Sequence, residues 1–225
     1  MTEEDCGLSK SPHVQASILY TPHQDYHIHF IQKIQHIMIP ENLNYLKLYE
    51  ERLEQTLLKH CTDQGTLDGK LLSTPDIDGC WMALAPEYLA DAVPEIADYP
   101  LVALGWAMFL GLAMAKLWDT DWATYGKTPA ETYRQMRNHR GFDCMDEYIL
   151  EEVLRLDEEN ARRLTAHVQR CAQTVETAIR KEEVEPSTPL AFNIFTTSIN
   201  VLYRFGAAIE LQALGYRFER IDPKE

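Results

Sequence analysis

The chain is short of basic residues. Its 225 residues include 21 Lys and Arg against 35 Asp and Glu, which gives a net charge of -14 at pH 7 with His neutral. A surface this negative repels the phosphates of nucleic acids and the anionic lipids of the cytoplasmic leaflet. We therefore expect neither nucleic acid nor a membrane surface among the partners of this protein.

Paired cysteines are missing as well. The chain has five cysteines, and no two of them form a Cys-x-x-Cys pair; they are Cys6, Cys61, Cys80, Cys144 and Cys171. An odd number of isolated cysteines is typical of a reducing compartment, and it favours neither a zinc ribbon nor a disulfide framework. The opening Met-Thr-Glu-Glu-Asp lacks the basic and apolar regions of a secretory signal. We expect a cytoplasmic protein.

No motif in the sequence specifies a chemistry. The segment from Gly65 to Leu71 has one residue too few between its glycines for a phosphate-binding loop. Asp76-Ile-Asp78-Gly79 lacks the third acid and the distal Glu of a calcium loop. Neither Glu-x-x-His nor His-Glu-x-x-His occurs, and no series of segments alternates apolar and polar residues as strands do. Function must therefore be argued from clusters of residues.

Four Thr-Pro pairs mark helix starts along the chain. They are Thr21-Pro22, Thr74-Pro75, Thr128-Pro129 and Thr188-Pro189. A threonine suits the N-cap position, and proline suits the first helical position because its missing N–H is not needed there. The repeated signal predicts an all-α protein.

Apolar periodicity supports the same fold class. From Pro40 to about Cys61, leucines and tyrosines keep one face apolar, while acids such as Glu50 and Glu54 occupy the rest. A second amphipathic helix is predicted after Asp157, and a last one from Pro189 to Leu214. Gly215 then stands at the position where a helix commonly ends in a left-handed residue.

The segment from Leu101 to Ala115 is apolar on every face. Counted from Tyr99 it has 17 uncharged residues, about 25 Å of helix against a hydrocarbon core of roughly 30 Å. We interpret it as a buried central helix, about 99–118, and not as a membrane span. Its small residues form a ridge at steps of four, on which another backbone can approach closely; they are Ala103, Ala107, Gly111 and Ala115.

A central helix that needs neighbours on every side favours one domain. We expect a single-domain helical bundle of about seven or eight helices over residues 20–215. Residues 1–19 are predicted to be a lead-in and residues 216–225 a tail.

Two histidines at helical spacing are the candidate metal ligands. His23 and His27 are i, i+4 neighbours, so their imidazoles lie on one helix face and can share an ion. A site needs at least a third ligand. The alternative is that both rings pack at a helix start and bond to neighbouring groups.

A second candidate lies at the end of the central helix. Asp119 and Asp121 are one residue apart, flanked by Trp118 and Trp122. Two carboxylates at the mouth of an apolar core could bind a cation, or act as an acid and a base in a ligand slot. The alternative is that the acids cap or turn the chain while the indoles seal the bundle.

Two further surfaces depart from the acidic average. Arg134, Arg137 and Arg140 recur at steps of three and could bind an anion or an acidic partner, unless they pair with nearby acids such as Asp143 and Glu147. The last helix carries a polar face with a single charge; its members are Asn193, Thr197, Asn200 and Arg204. That face suits the wall of a polar pocket or a homotypic helix interface; the alternative is an exposed face with little charge.

These patterns leave two function hypotheses. The favoured one is a binding, scaffold or regulatory protein that acts through a protein partner or through self-association. The other is a small-molecule or metal-dependent enzyme with its site near Trp118–Trp122. No cofactor is predicted, and a divalent metal and a small-molecule ligand stay open alternatives.

Overall fold

The computed structural model describes residues 40–96 and 99–217, and within them it confirms the all-α fold. The α-helices are α1 (Pro40–Asp63), α2 (Pro75–Glu95), α3 (Pro100–Tyr125), α4 (Pro129–Arg140), α5 (Met145–Tyr148), α6 (Glu158–Lys181) and α7 (Pro189–Ala213). A 3₁₀ turn, Phe142–Cys144, precedes α5, and a π-helical turn, Ile149–Val153, follows it. No strand occurs in these two stretches of the chain.

The Thr-Pro signal places helix starts correctly. Three of the four pairs lie among the described residues, and each time the helix begins at the proline. Of these three threonines, only Thr188 also accepts a side-chain cap bond, from the backbone N–H of Ala191 at 3.2 Å. Gly215 follows α7 with a φ of +95°. Thr21-Pro22 and the predicted lead-in lie outside the described residues, so those expectations stay predictions.

Helix α3 lies at the centre of the bundle, as its composition predicts. Every residue from Ala103 to Ala115 is buried, and the largest contact of α3 is with α7, followed by α6. The helix continues past the expected end at 118. Asp121 kinks it with φ -162° and ψ 82°, and a last helical turn follows. By length and composition α3 could cross a membrane, but 72% of its apolar window is buried inside the bundle.

The predicted ridge of small residues is where α7 comes closest to α3. A Cβ on Gly111 would lie 1.9 Å from the carbonyl oxygen of Tyr203, and a Cβ on Gly206 would lie 2.0 Å from that of Met108. Backbone atoms occupy this space, so no side chain can swing away to make room. The two glycines therefore set the distance between α3 and α7.

The buried apolar side chains form one continuous core around this pair of helices. Helix α1 closes one side of it by packing against both α7 and α6. Tyr49 of α1 is buried there, and its hydroxyl lies 2.7 Å from that of Ser198 on α7. The end of α1 lies beside the middle of α6, where Cys61 contacts His167 and Cys171.

Candidate metal centre

The end of α1 and the middle of α6 bring two thiols and two imidazoles together. The Sγ of Cys61 lies 3.9 Å from the Sγ of Cys171. Nε2 of His167 lies 3.7 Å from the first sulfur and 3.6 Å from the second. His167 and Cys171 share a helix face as i, i+4 neighbours, and all three side chains are buried. We call His60, Cys61, His167 and Cys171 the Cys/His cluster.

These distances match the edges of a tetrahedral zinc site. Zn–S bonds of about 2.3 Å and Zn–N bonds of about 2.0–2.1 Å place two sulfurs about 3.8 Å apart, and a sulfur and a nitrogen about 3.6 Å apart. The three separations, 3.9, 3.7 and 3.6 Å, differ little from those edges. An ion can therefore bond all three atoms with little movement of either helix.

His60 lies near two residues of this triangle. One ligand atom from each of His60, His167 and Cys171 lies within 4.8 Å of the other two. The two imidazole rings are stacked, with their centroids 5.9 Å apart. Among the described residues, the buried Nε2 of His60 has no hydrogen-bond partner. Buried polar atoms without partners are costly, and they commonly mark the place of a water or an ion.

The two thiols are electrostatically unequal. The hydrogen bond with Cys171 lowers the pKa of Cys61 below the usual thiol range, and the contact with His167 acts in the same direction. The same bond with Cys61, together with burial, raises the pKa of Cys171. A thiolate is the form of cysteine that binds metals. Binding of an ion would therefore release protons from this pair of thiols.

A groove of about 540 Å³ lies between α1 and α6 beside the cluster. His60 lines it and is half-buried, whereas Cys61 and Cys171 are fully buried. The cationic side chains of Arg170 and Lys181 also line the groove, as does Arg52, which pairs there with Glu182 at 2.8 Å. A metal site needs an entry path, and His60 is the cluster residue that meets this opening.

The metal ligands predicted from sequence lie elsewhere in the chain. His23 and His27 fall outside the described residues, so the structure does not place them relative to any other group. Their role as metal ligands stays a prediction. The Cys/His cluster uses four different residues.

The first half of the Trp118–Trp122 segment is bonded within the bundle. The Trp118 indole N–H donates to Asp76 at 3.3 Å, and its ring packs against Tyr216 with centroids 5.6 Å apart. Asp119 accepts a hydrogen bond of 2.9 Å from the Tyr216 hydroxyl. Tyr216, assigned to the tail from sequence, is buried and joins the end of α3 to the end of α7.

The second half of that segment shapes the chain locally. Asp121 is exposed and accepts from the hydroxyl and the backbone N–H of Thr124, at 2.6 and 3.2 Å, which lowers its pKa. Gly126 lies against the Trp122 ring, since a Cβ on it would be 2.4 Å from the indole. Asp119 and Asp121 thus bond to different partners. This geometry fits the interpretation in which the acids turn the chain and the indoles seal the bundle.

The arginine stripe is neutralised by acids of the same chain. Ion pairs join Arg134 to Glu87 at 3.3 Å, Arg137 to Asp91 at 2.9 Å and Arg140 to Glu151 at 2.6 Å. Arg140 also lies 3.8 Å from Glu147, an acid expected from sequence, whereas the other partners come mainly from α2 and the π-helical turn. Little uncompensated positive charge is left on this stripe for an external anion.

The polar face of α7 is buried, which corrects the expectation of an exposed face with little charge. Asn193, Asn200 and Arg204 are at most 9% exposed, and Thr197 is half-buried. Arg204 donates to Glu50 of α1 at 3.1 Å and also to Glu54. The face is polar because it meets carboxylates on α1, which the sequence pattern had placed on the solvent side of that helix.

Sequence reasoning missed the Cys/His cluster because its halves are far apart in the chain. Cys61 and Cys171 are separated by 110 residues, so no spacing rule for metal motifs detects them. One signal was available: His167 and Cys171 stand at i, i+4 on the apolar stripe of the predicted helix after Asp157. A histidine and a cysteine facing the core at that spacing can offer two ligands to one metal ion.

Comparisons of the chain with protein-family models, with curated proteins and with solved structures find no match.

Proposed function

We propose that the protein binds one thiophilic divalent ion of the zinc type at the Cys/His cluster and acts as a metal-dependent binding protein. The observation that carries the proposal is the triangle of Cys61, Cys171 and His167, whose sides match the edges of a tetrahedral zinc site. His60 supplies the fourth ligand from the groove side.

The donor set decides the class of metal. Thiolates and imidazoles favour Zn²⁺, whereas Mg²⁺ and Ca²⁺ prefer oxygen ligands. Four protein ligands around zinc make a closed site, which leaves no position for a substrate. The burial of both sulfurs supports a structural role over a catalytic one.

The ion would join α1 to α6. Cys61 and His60 come from the first helix, and His167 and Cys171 come from the second. Bound metal would therefore fix the groove between these helices, where Arg170 and Lys181 suit an acidic partner segment. In this way the availability of the ion controls the shape of a binding surface.

Titration of the reduced, metal-free protein with Zn²⁺ tests the proposal. We expect one equivalent to bind in a calorimeter, with release of protons from the thiols. Cys171→Ser and Cys61→Ser should each abolish stoichiometric binding. His60→Gln should weaken binding and leave one ion per chain, because both thiolates and the buried His167 remain.

Two controls make the result specific. Cys144→Ser removes a thiol that lies outside the cluster and should bind Zn²⁺ like the parent. The double variant His23→Gln/His27→Gln should also bind normally. Loss of binding in the histidine double variant, with normal binding in Cys171→Ser, would contradict the proposal and favour the site predicted from sequence.

The partner is a separate question. Action through a protein partner or self-association stays a proposal, supported by the basic groove and by the closed form of the metal site. Light scattering of the zinc-loaded protein at rising concentration tests the self-association part. A strict monomer in both metal states would remove self-association and leave the acidic partner segment.

A further inference from the structure

A second cavity, of about 740 Å³, lies on the other side of α6 from the groove. It is bounded by the end of α2, the first turns of α3, the 3₁₀ turn and α6. Gly105, Trp106 and Phe109 of α3 and Val168 of α6 give it an apolar floor. Cavities of this volume with an apolar floor and a few polar groups are the usual form of small-molecule sites.

The charge at this cavity has one sign. Among the residues that the structure describes, its charged lining consists of Glu95, Asp143 and Asp146, with no Lys, Arg or His. Within the described part of the chain, none of these three carboxylates makes an ion pair with a basic residue. This differs from the arginine stripe, where acids and bases compensate each other.

Acidic and aromatic side chains line the same cavity. The Trp106 side chain lies beside Asp146, but burial outweighs this contact and raises the pKa of the Asp146 carboxyl group, so a cation beside it would relieve an unfavourable position. Tyr99 and Val102 are 60% and 37% exposed at the rim, so apolar surface faces solvent here. Aromatic faces next to carboxylates are a setting in which organic cations bind.

We propose that this cavity binds an organic ammonium compound. Its ammonium group lies at the carboxylates of Asp143 and Asp146, and its apolar body lies on the floor beside Trp106. An inorganic divalent cation would leave the apolar floor uncovered, and an anion would meet three acids. The proposal does not depend on the metal site, because none of the four cluster residues lines this cavity.

Binding of phenethylamine, compared with its neutral counterpart phenethyl alcohol, tests this assignment on the full chain. We expect phenethylamine to shift the NMR signal of the Trp106 indole and to bind about tenfold more tightly than the alcohol, the usual size of one charge-assisted contact. Asp143→Asn/Asp146→Asn should remove that preference. Asp68→Asn removes an acid outside the cavity and should keep it.

Three outcomes would overturn the proposal. One is equal binding of the amine and the alcohol, which would make the cavity a purely apolar site. Another is competition by Mg²⁺ at equal concentration, which would identify an inorganic cation site. The third is a preference for the amine that survives in Asp143→Asn and in the double variant, provided that thermal melts show both variants folded.

Discussion

Helices α3 and α7 meet backbone against backbone, whereas α1 and α6 meet through thiols and imidazoles. At Gly111 and Gly206 the backbones of α3 and α7 are in direct contact, so this contact involves only atoms of the chain. At the Cys/His cluster sulfur and nitrogen atoms converge, and among the described residues the buried Nε2 of His60 has no hydrogen-bond partner. The first contact uses only atoms of the chain; the second is the place where we propose that an ion binds.

We expect the greatest loss of stability from a substitution that disrupts the α3–α7 contact. Gly111→Ala places a Cβ 1.9 Å from the Tyr203 carbonyl oxygen, so the helices must separate and the core must open. We expect a loss of about 3 kcal/mol in the free energy of unfolding, the upper end for overpacked cores, and the same difference from the parent with and without Zn²⁺. Urea unfolding followed by circular dichroism measures it.

Gly79→Ala is the matched control for that substitution. A Cβ at this helical position meets nothing within 4 Å, so the variant should gain up to about 1 kcal/mol from helix propensity. If Gly111→Ala were as stable as Gly79→Ala, the close approach of α3 and α7 would not be a feature of the folded protein.

Metal removal acts on the α1–α6 contact. Free Zn²⁺ at about a thousand times its dissociation constant stabilises a protein by ~4 kcal/mol. For a chain of this length that corresponds to a Tm shift of roughly 10 °C. Chelation should lower the Tm of the parent by this amount and leave the Tm of Cys171→Ser unchanged. A chelator effect of the same size in Cys171→Ser would place the ion elsewhere.

Glu210 of α7 is an ionisable group at the α3–α7 contact, so the stability of this contact should depend on pH. Burial raises the pKa of Glu210 to about 7, and Lys116 of α3, 3.9 Å away, only partly opposes this. Between the ordinary glutamate pKa and about 7, the folded state binds more protons than the unfolded state, so stability falls as pH rises through that window.

Glu210→Gln removes the buried charge, so its effect on the free energy of unfolding should depend on pH. We expect it to raise the free energy of unfolding by ~2 kcal/mol at pH 8 and to change it little at pH 5. Denaturant melts at the two pH values measure the difference. An equal effect at both would mean that the carboxyl group ionises normally in the folded protein.

The smallest effect is expected at the arginine stripe. Arg134 is 45% exposed at its ion pair with Glu87, and exposed pairs contribute about 0–1 kcal/mol. Arg134→Ala should therefore alter neither the Tm by more than about 2 °C nor the affinity for Zn²⁺. A larger loss of stability would show that this surface pairing holds α2 to α4 more firmly than its exposure indicates.

The parts of the fold that depend on local pattern could be predicted from the sequence. The apolar segment of α3 has no face that tolerates water, so its central position follows from composition. Thr188-Pro189 and Gly215 mark the ends of α7 because capping depends on neighbouring residues only. The spacing of small residues also predicted that another backbone could approach α3 closely, although it did not identify α7 as that partner.

Contacts between distant segments could not be predicted in the same way. Glu50 was assigned to solvent because acids usually face water, but Arg204 on α7 compensates its charge inside the bundle. Cys61 and His167 meet only because α1 crosses α6 at one particular level. A single sequence contains no information on that crossing, so the candidate site emerged from the structure.

X-ray absorption at the zinc edge of the loaded protein tests the central claim most directly, because it counts the sulfur and nitrogen neighbours of the ion. We predict two sulfurs at about 2.3 Å and two nitrogens at about 2.0 Å, and the loss of one sulfur in any residual ion bound by Cys171→Ser. A shell made only of nitrogen and oxygen would contradict the assignment of the ion to Cys61, His167, Cys171 and His60.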